Sequence, residues 1–325
     1  MKKNTKKFLK GILLVSLALS SAAAFGGCGK SGSLKVAVIG KKLSEGSSYW
    51  SIIRKGAEDA GAETGIDVVY DGPQEAVNLE QQIALINKYV DEGYSAIVIA
   101  PVDKDAVNDA INAAGEKIPV IAIDSDATAE NKKTCISTDN VIGGEAAAGA
   151  AIKLIGSEGK VGIISDSESA QNTLDRIKGF TDKAESENIE VYDVQYCNSD
   201  RETSKKLAGE MLDSEGGADI NLMFGANESS TLGICDAVKE RNLEDTVSVV
   251  GFDCSNDVVN FMREGVIDAT TVQNPYNMGY LGVKYAQKSC NGETIESVVD
   301  TGVTIVNPDN LDDEDIKFLI NPLGN

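Results

Sequence analysis

The stretch that decides the fold is residues 79–99, LEQQIALINKYVDEGYSAIVI. Its first part spaces apolar residues along one face of a helix, at Leu79, Ile83, Ile86 and Val90. Its last part, Ala96–Ile99, is a short continuous apolar run, which is typical of a strand that is buried on both faces. A helix followed at once by such a strand is the repeating unit of a parallel α/β sheet.

The same unit recurs on both sides of this stretch. Four strand-like runs precede Thr134–Thr138, a comparable set follows it, and amphipathic segments lie between them. The predicted strands are Lys35–Ile39, Asp67–Tyr70, Ala96–Ile99, Val120–Ile123, Lys160–Ile164, Val191–Gln195, Ile220–Phe224 and Val247–Val250. Two similar sets predict two doubly wound, parallel-sheet α/β lobes rather than one long sheet. The pattern alone does not assign Ile267–Val272, the helix Tyr276–Ser289 or a strand near Val298–Val306 to either lobe.

The N-terminus has the pattern of an export signal. Five lysines precede an apolar run from Gly11 to Phe25, and two glycines then precede Cys28. The run is too short and too rich in Ala and Ser for a membrane span of about 20 residues. The pattern is similar to bacterial lipoprotein signals, in which the cysteine receives lipid. We therefore expect a signal peptide at residues 1–27, lipidation of Cys28 and a flexible tether at residues 28–33. Plain secretion is the alternative.

Charge and composition exclude several function classes. The chain has 30 basic and 51 acidic residues, and residues 1–27 contain 5 of the basic and none of the acidic ones. The remainder therefore carries 25 − 51 = −26 charges, which disfavours nucleic acid and anionic lipid as partners. The chain has no histidine, so Ser-His-Asp and Cys-His catalysis and histidine metal sites are excluded.

No cofactor or metal is expected from the remaining motifs. The six cysteines lack CxxC spacing, and Cys135 and Cys235 lie in apolar patterns that predict burial. The acidic run Asp309–Asp315 lacks the glycine of an EF-hand loop and is predicted to be a solvated surface turn.

Polar and aromatic residues cluster where the predicted strands end, which is where ligands collect in parallel sheets. They include Lys41, Lys42, Tyr49, Trp50, Asp124, Ser125, Asn227 and Asp253. Carboxylates and amides can bind sugar hydroxyls, and an aromatic ring can cover the apolar face of a sugar. Each residue also has a simpler interpretation, since Asp and Asn often cap helices and Tyr49 and Trp50 could anchor their helix in the core.

Several segments, in order from Leu34 to about Val306, resemble the type I periplasmic binding proteins of the ribose and galactose lineage. These are the soluble receptors of ABC sugar importers. The segments are Asn78–Ile83, Ile97–Pro101, Ile118–Asp124, Ser137–Asn140 with Gly143 and Gly144, Arg176–Phe180, Val249–Asp253 and Ala269–Pro275. The Val-Gly-Phe-Asp and Gln-Asn-Pro motifs in the last two are the most specific.

The resemblance implies a set of ligand-binding residues, which are Tyr49, Trp50, Asp124, Arg176, Asn227, Asp253 and Gln273. Arg176 could clamp ligand oxygens or form a surface salt bridge. Ribose receptors place Asp-Arg where this chain has Asp124-Ser125, so a standard ribose pocket is not expected. Lys41 and Lys42 indicate a more polar or anionic ligand group, unless they are a solvated pair.

The resemblance also implies an architecture. Lobe one would comprise residues 34–138 and 274–302, and lobe two residues 139–273 and 303–325, with three chain crossings as a hinge. The expected function is capture of a small sugar-like ligand outside the cytoplasm and its delivery to the transmembrane subunits of an ABC permease. A monomer anchored by Cys28 to the bacterial cell membrane is expected.

The alternative functions are a ligand sensor, a glycosidase and a DNA-binding regulator. A ligand-sensing lipoprotein that presents its closed form to a membrane receptor would use the same cleft. A glycosidase would need two carboxylates, for which Asp124 and Asp253 are the candidates. A DNA-binding regulator is excluded by the export signal, the acidic charge and the missing basic headpiece.

Overall fold

The computed structural model describes residues 33–44, 48–75 and 78–324, and in these residues the chain forms twelve strands and ten α-helices. The strands are β1 (Lys35–Ile39), β2 (Asp67–Asp71), β3 (Ala96–Ile99), β4 (Val120–Ile123), β5 (Thr134–Ser137), β6 (Lys160–Ser165), β7 (Glu190–Tyr196), β8 (Leu222–Gly225), β9 (Ser248–Phe252), β10 (Ala269–Gln273), β11 (Val298–Asp300) and β12 (Val303–Val306). The helices are α1 (Ser48–Thr64), α2 (Leu79–Asp91), α3 (Asn108–Gly115), α4 (Asn140–Ile155), α5 (Gln171–Ser186), α6 (Arg201–Asp213), α7 (Glu228–Arg241), α8 (Asn256–Arg263), α9 (Pro275–Cys290) and α10 (Glu314–Ile320). The predicted signal at 1–27 and Cys28 lie outside the described residues.

The strands form two six-stranded sheets with the same topology. The first sheet has the order β11-β5-β4-β3-β1-β2 and the second β12-β10-β9-β8-β6-β7. Neighbouring strands are parallel throughout, except that β12 runs antiparallel to β10. The predicted pair of doubly wound α/β lobes is confirmed. The chain passes from one sheet to the other after β5, after β10 and between β11 and β12.

The segment that sequence pattern left unassigned divides between the two sheets. A single strand near Val298–Val306 was expected, but this prediction is wrong because β11 joins the first sheet and β12 the second. The break lies at Gly302, which has a φ of 71° that favours glycine. The Asp300 carboxylate accepts hydrogen bonds from the backbone N–H groups of Asp139 (3.0 Å) and Gly302 (2.9 Å). One side chain thus ties two of the three crossings together.

Each sheet is covered by apolar side chains on both faces, as the continuous apolar strands predicted. In β1, Val36 and Val38 belong to one cluster, and Ala37 and Ile39 belong to the cluster on the opposite face. This separation follows from the two-residue period of a strand. The second sheet is likewise packed on both faces. Buried strands of this kind hold the polar residues at their ends in fixed positions.

The helix pair α4 and α5 packs at backbone contact because of two glycines. A Cβ atom at Gly144 would lie 2.0 Å from the carbonyl oxygen of Arg176, and one at Gly179 would lie 2.0 Å from that of Val141. Helices α1 and α9 in the other lobe approach in the same way at Gly56 and Gly279. The close approach fixes where the backbone of Arg176 sits.

The remaining expectations concern the cysteines, the acidic run Asp309–Asp315 and membrane spans. The five cysteines among the described residues are free, and Cys135 and Cys235 are buried as predicted. The acidic run Asp309–Asp315 is only partly a surface turn, since α10 begins at Glu314, where acidic residues favour a helix N-terminus. Within the described part of the chain, no helix has the length and apolar character needed to cross a membrane.

The α4–α5 contact can be tested with one methyl group. We expect Gly144→Ala to lower the free energy of unfolding by about 1–3 kcal/mol, because the added atom collides with backbone that cannot rotate away. Urea denaturation measures the change. The control is Gly149→Ala in the same helix, where an added Cβ meets nothing within 4 Å and should raise stability by about 0.5–1 kcal/mol. Equal effects of the two substitutions would contradict the packing argument.

Candidate functional site

Asp124 and Asp253 occupy equivalent positions in the two lobes. Asp124 directly follows β4 and Asp253 directly follows β9. Both have left-handed backbone, with φ of 63° and 70°, which aspartate tolerates better than most residues. Neither caps a helix, so the capping interpretation is wrong for these two. Both carboxylates stand at the carboxyl end of a parallel sheet.

The backbone holds the two aspartates in the same way. The N–H of Asp124 donates to the carbonyl of Ile136 in β5 (3.1 Å), and the N–H of Asp253 donates to that of Thr271 in β10 (2.8 Å). Each aspartate is therefore tied through its backbone to the neighbouring strand of its sheet, and its carboxylate interacts with other side chains.

In lobe one, Asp124 is the centre of a hydrogen-bonded cluster. Lys41 Nζ lies 2.7 Å from Asp124 Oδ2, and Tyr49 Oη donates to Asp124 Oδ1 over 2.6 Å. Ser125 Oγ donates to Asp124 Oδ2 (3.1 Å) and accepts from Lys41 Nζ (2.5 Å). The side chains of Lys41 and Asp124 are only 19% and 10% exposed. Lys41 is therefore engaged with a carboxylate and is not a solvated cation.

This cluster sets the protonation of its members. Burial by itself disfavours the Asp124 carboxylate, but Lys41, with hydrogen bonds from Tyr49 and Ser125, outweighs burial and lowers the pKa of Asp124. Burial and the neighbouring Asp124 raise the pKa of Tyr49 well above its ordinary value. At neutral pH the pair is thus a carboxylate acceptor and a phenol donor.

In lobe two, Arg176 is held inside the protein. It is 2% exposed, so the surface salt-bridge interpretation is wrong. Its Nε donates to Asn140 Oδ1 and its Nη1 to the carbonyl of Ala226, both over 2.9 Å. Its Cζ lies 3.7 Å from the centre of the Phe252 ring, a cation–π contact. These contacts fix the guanidinium plane and leave one Nη1 hydrogen and both Nη2 hydrogens as further donors.

Arg176 and Asp253 form a loose ion pair. Arg176 Nη1 lies 3.7 Å from Asp253 Oδ2, which is longer than a hydrogen bond. Gln273 Nε2 donates to the other oxygen, Asp253 Oδ1, over 2.6 Å. Oδ2 of Asp253 therefore retains the capacity to accept a hydrogen bond from a ligand hydroxyl.

The clusters of the two lobes act on each other electrostatically. Burial lowers the pKa of Arg176, whereas Asp253 in its own lobe and Asp124 in the other lobe favour its charged form. Asp253 likewise contributes to the raised pKa of Tyr49, after burial and Asp124. The two clusters are also adjacent in space, since Tyr49 of lobe one lines the same cavity as Asp253 and Gln273 of lobe two.

Two of the predicted site residues, Asn227 and Trp50, mainly contact neighbouring groups of the protein. Asn227 Oδ1 accepts from the backbone N–H of Ser230 (3.0 Å) and caps α7, which leaves the amide nitrogen a long contact of 3.4 Å to Ser199 Oγ. Trp50 is half-buried against the core of lobe one, and its ring meets the edge of Tyr49 with centroids 5.2 Å apart. Trp50 therefore fixes the orientation of the Tyr49 ring.

A cavity of about 120 Å³ adjoins Tyr49, Asp253 and Gln273. Sequence reasoning did not assign its other lining residues to the site. Val272 and Pro275 belong to the recognised segment Ala269–Pro275, Glu228 directly follows Asn227 at a strand end, and the C-terminal helix contributes Leu319 and Ile320. Asn140, which orients Arg176, belongs to the recognised segment Ser137–Asn140, but it was not assigned a role at the site.

The lowered pKa of Asp124 predicts a pH-dependent contribution to stability. This contribution is fully present above the unfolded-state pKa of about 3.9 and is lost as the pH falls through the lower folded-state value. We expect Asp124→Asn to reduce the free energy of unfolding at pH 7 by about 1–3 kcal/mol, because Lys41 loses its carboxylate. The deficit should shrink towards pH 3. Urea titrations at several pH values measure it.

The control substitution is Asp126→Asn. Asp126 belongs to the same loop, but it is 54% exposed and its pair with Lys132 spans 3.2 Å at the surface. Its loss should change stability by less than about 0.5 kcal/mol. A deficit for Asp124→Asn that is the same at pH 7 and pH 3 would show that the carboxylate charge is not the source of its effect.

The chain is similar to proteins of known family and structure. A family model described as "Periplasmic binding protein domain" matches residues 36–294. The chain is 28% identical over 308 residues to the ribose import binding protein of Haemophilus influenzae, covering 94% of this chain and 99% of the relative.

Two solved structures are also similar to the chain. A carbohydrate transporter solute-binding protein from Agrobacterium radiobacter, in complex with D-arabinose, has a TM-score of 0.79 at 32% identity and covers 90% of this chain and 100% of its own. An ABC transporter solute-binding protein from Agrobacterium vitis with bound D-fucose has a TM-score of 0.77 at 31% identity and covers 88% of this chain and 99% of its own.

Proposed function

Because the chain belongs to the periplasmic binding protein family, we propose that it captures a small uncharged sugar or sugar-like ligand between its two lobes and delivers it to an ABC permease. Its relatives and structural neighbours include a ribose import binding protein and sugar transporter binding proteins, which supports the sugar-binding class. The observation that carries the proposal is the pair of carboxylates, Asp124 and Asp253, at equivalent strand ends of the two lobes, with Tyr49 binding Asp124 and lining the same cavity as Asp253.

The charge balance of the cleft favours an uncharged ligand. Lys41 is bound to Asp124 and Arg176 lies beside Asp253, so each cation has a carboxylate partner. An anionic ligand would have to displace these carboxylates or approach them without compensation. The anionic group that Lys41 and Lys42 suggested in the sequence is therefore not part of the proposal. Hydroxyl groups can donate to the carboxylates and to the Tyr49 oxygen, and they can accept from Gln273 and Arg176.

We propose that lobe one is 34–138 plus 274–302, that lobe two is 139–273 plus 303–325, and that their crossings are the hinge. Hydrogen bonds from Thr301 N–H to the carbonyl of Ser137 (2.9 Å) and from Asp139 N–H to Asp300 hold two crossings side by side. Asn140 links the hinge to the site, since its amide donates to the carbonyl of Thr138 (3.1 Å) and its oxygen accepts from Arg176. Contacts from both lobes to one ligand would then stabilise the closed state.

The rival functions have less support. A glycosidase that used Asp124 as its general acid would need a raised pKa, whereas the pKa of Asp124 is lowered. A sensing lipoprotein would use the same cleft, but the curated relatives are import proteins. We therefore propose a binding protein without catalytic activity.

The location follows from the family, whose members work outside the cytoplasm. We propose that the protein acts there as a monomer and that lipid on Cys28 anchors it to the bacterial cell membrane. The motif before Cys28 is the support for this anchor. Replacement of Cys28 by Ser should release the protein from the membrane fraction, and retention of the variant would count against the anchor.

Sugar binding and the part played by Asp253 can be tested together by calorimetry. The probes are D-ribose, D-arabinose, D-galactose, D-fucose, D-fructose and D-tagatose, and a sugar that binds should also raise the melting temperature. For that sugar, Asp253→Asn should weaken binding by roughly 5- to 150-fold, because a ligand hydroxyl and Gln273 lose a charged acceptor, at a cost of about 1–3 kcal/mol.

The control is Asp213→Asn, which removes the carboxylate of another Arg–Asp pair in lobe two, with Arg241 at 2.7 Å. Asp213 is 63% exposed and lies outside the cleft, so its replacement should leave the affinity within about twofold. If no probe binds, the sugar-binding proposal fails. If a probe binds and Asp253→Asn behaves like the control, the proposed site fails.

A further inference from the structure

The cavity beside the candidate site is lined by apolar residues as well as by polar ones. It has a volume of about 120 Å³, and it shares Tyr49, Asp253 and Gln273 with the site described above. Six of its ten lining residues are apolar. They come from both lobes and from the C-terminal helix, and they are Ile52, Cys254, Val272, Pro275, Leu319 and Ile320. A ligand bound at Asp253 and Gln273 would therefore have an apolar compartment at its side.

Helix α10 supplies part of this wall and is held in place from two directions. Ile316 is 9% exposed and packs in the core of lobe two. On the other side, the ring of Phe318 meets the edge of Tyr276 at the start of α9, with centroids 5.1 Å apart and an interplanar angle of 73°. Leu319 and Ile320 directly follow these anchors in the sequence and line the cavity. The wall is therefore part of the folded structure and not a loose C-terminal segment.

The chemistry of the compartment restricts what can enter it. Neither lysine nor arginine is among the described residues that line it, whereas two carboxylates, Asp253 and Glu228, are. Burial, and the nearby Asp253 and Asp257, raise the pKa of Glu228 above its usual value. An anionic substituent would meet carboxylates without a cation, and apolar walls favour C–H surface over hydroxyl groups.

The size of the compartment restricts the substituent further. An apolar cavity of about 150 Å³ is large enough to hold benzene. The cavity here is somewhat smaller, at about 120 Å³. It can hold a small group attached to a sugar ring, and it has no space for a second sugar ring.

We propose that this compartment receives an apolar substituent, such as the methyl group of a deoxy sugar, and that Leu319 and Ile320 are specificity-determining residues of the site. The inference rests on the proposed function, since the ring of the same sugar would be bound by Asp253 and Gln273. The protein then discriminates between sugars that differ only in a methyl or hydroxymethyl group at that position.

Calorimetry with matched sugar pairs tests this inference. The pairs are D-galactose with D-fucose, D-glucose with 6-deoxy-D-glucose, and D-mannose with D-rhamnose, and the first member of each carries a hydroxymethyl group where the second carries a methyl group. In the pair that binds best, the methyl-bearing sugar should bind about 10- to 100-fold more tightly. Leu319→Ser and Ile320→Ser should each weaken its binding about tenfold and leave the hydroxymethyl sugar within about threefold.

Lys317→Ser is the matched control, because Lys317 belongs to the same helix, its side chain is 56% exposed and it does not line the cavity. It should preserve the preference for the methyl-bearing sugar. If the hydroxymethyl member binds better, or if all three variants keep the wild-type preference, the inference is wrong while sugar binding stands. Tighter binding of 6-amino-6-deoxy-D-galactose than of D-fucose would also overturn it, in favour of an amine held by the carboxylates. If none of the six sugars binds but another probe sugar does, the inference is wrong while sugar binding stands, and if no probe sugar binds at all, the proposed function fails and the inference fails with it.

Discussion

The rest of the site depends on the need to compensate two carboxylates that are withdrawn from water at one cleft. An ionised carboxylate inside a protein needs a cation and hydrogen-bond donors nearby. Lobe one meets this need at Asp124 with Lys41 at 2.7 Å and the Tyr49 hydroxyl at 2.6 Å. Lobe two meets it at Asp253 with Gln273 at 2.6 Å and the guanidinium of Arg176 at 3.7 Å. The looser second pair leaves hydrogen-bonding capacity for a ligand.

The repeated topology explains why two such centres exist and why they are rigid. Each lobe places an aspartate with positive φ after the corresponding strand, β4 or β9, and ties its backbone to the next strand. The glycine contacts between α4 and α5 then bring Arg176 to its place, and Asn140 connects that side chain to the crossing at Thr138. A ligand that binds the two centres would thereby be coupled to the hinge through fixed hydrogen bonds.

The fold could be predicted from the sequence because the two patterns that indicate it, apolar runs and polar residues at their ends, are local. Buried parallel strands are continuous apolar runs, and their ends are marked by polar residues, so the two lobes and both aspartates could be predicted. The apolar pattern did not resolve β11 from β12, since the break depends on Gly302 and on hydrogen bonds to Asp300, and only the resemblance placed a lobe boundary after residue 302. Sequence reasoning also missed Leu319 and Ile320, because apolar residues in a short terminal helix give no sign of facing a cavity. The partner of Lys41 lies 83 residues away and could be found only in three dimensions.

The central claim is that one ligand is held by both lobes at once. Small-angle X-ray scattering of the protein with and without a saturating sugar tests this most directly, with binding verified separately. The account predicts that the radius of gyration decreases when the sugar is added, because contacts from Asp124 and Asp253 to the same molecule stabilise the closed arrangement. Identical scattering curves from a protein that is saturated with ligand would contradict it.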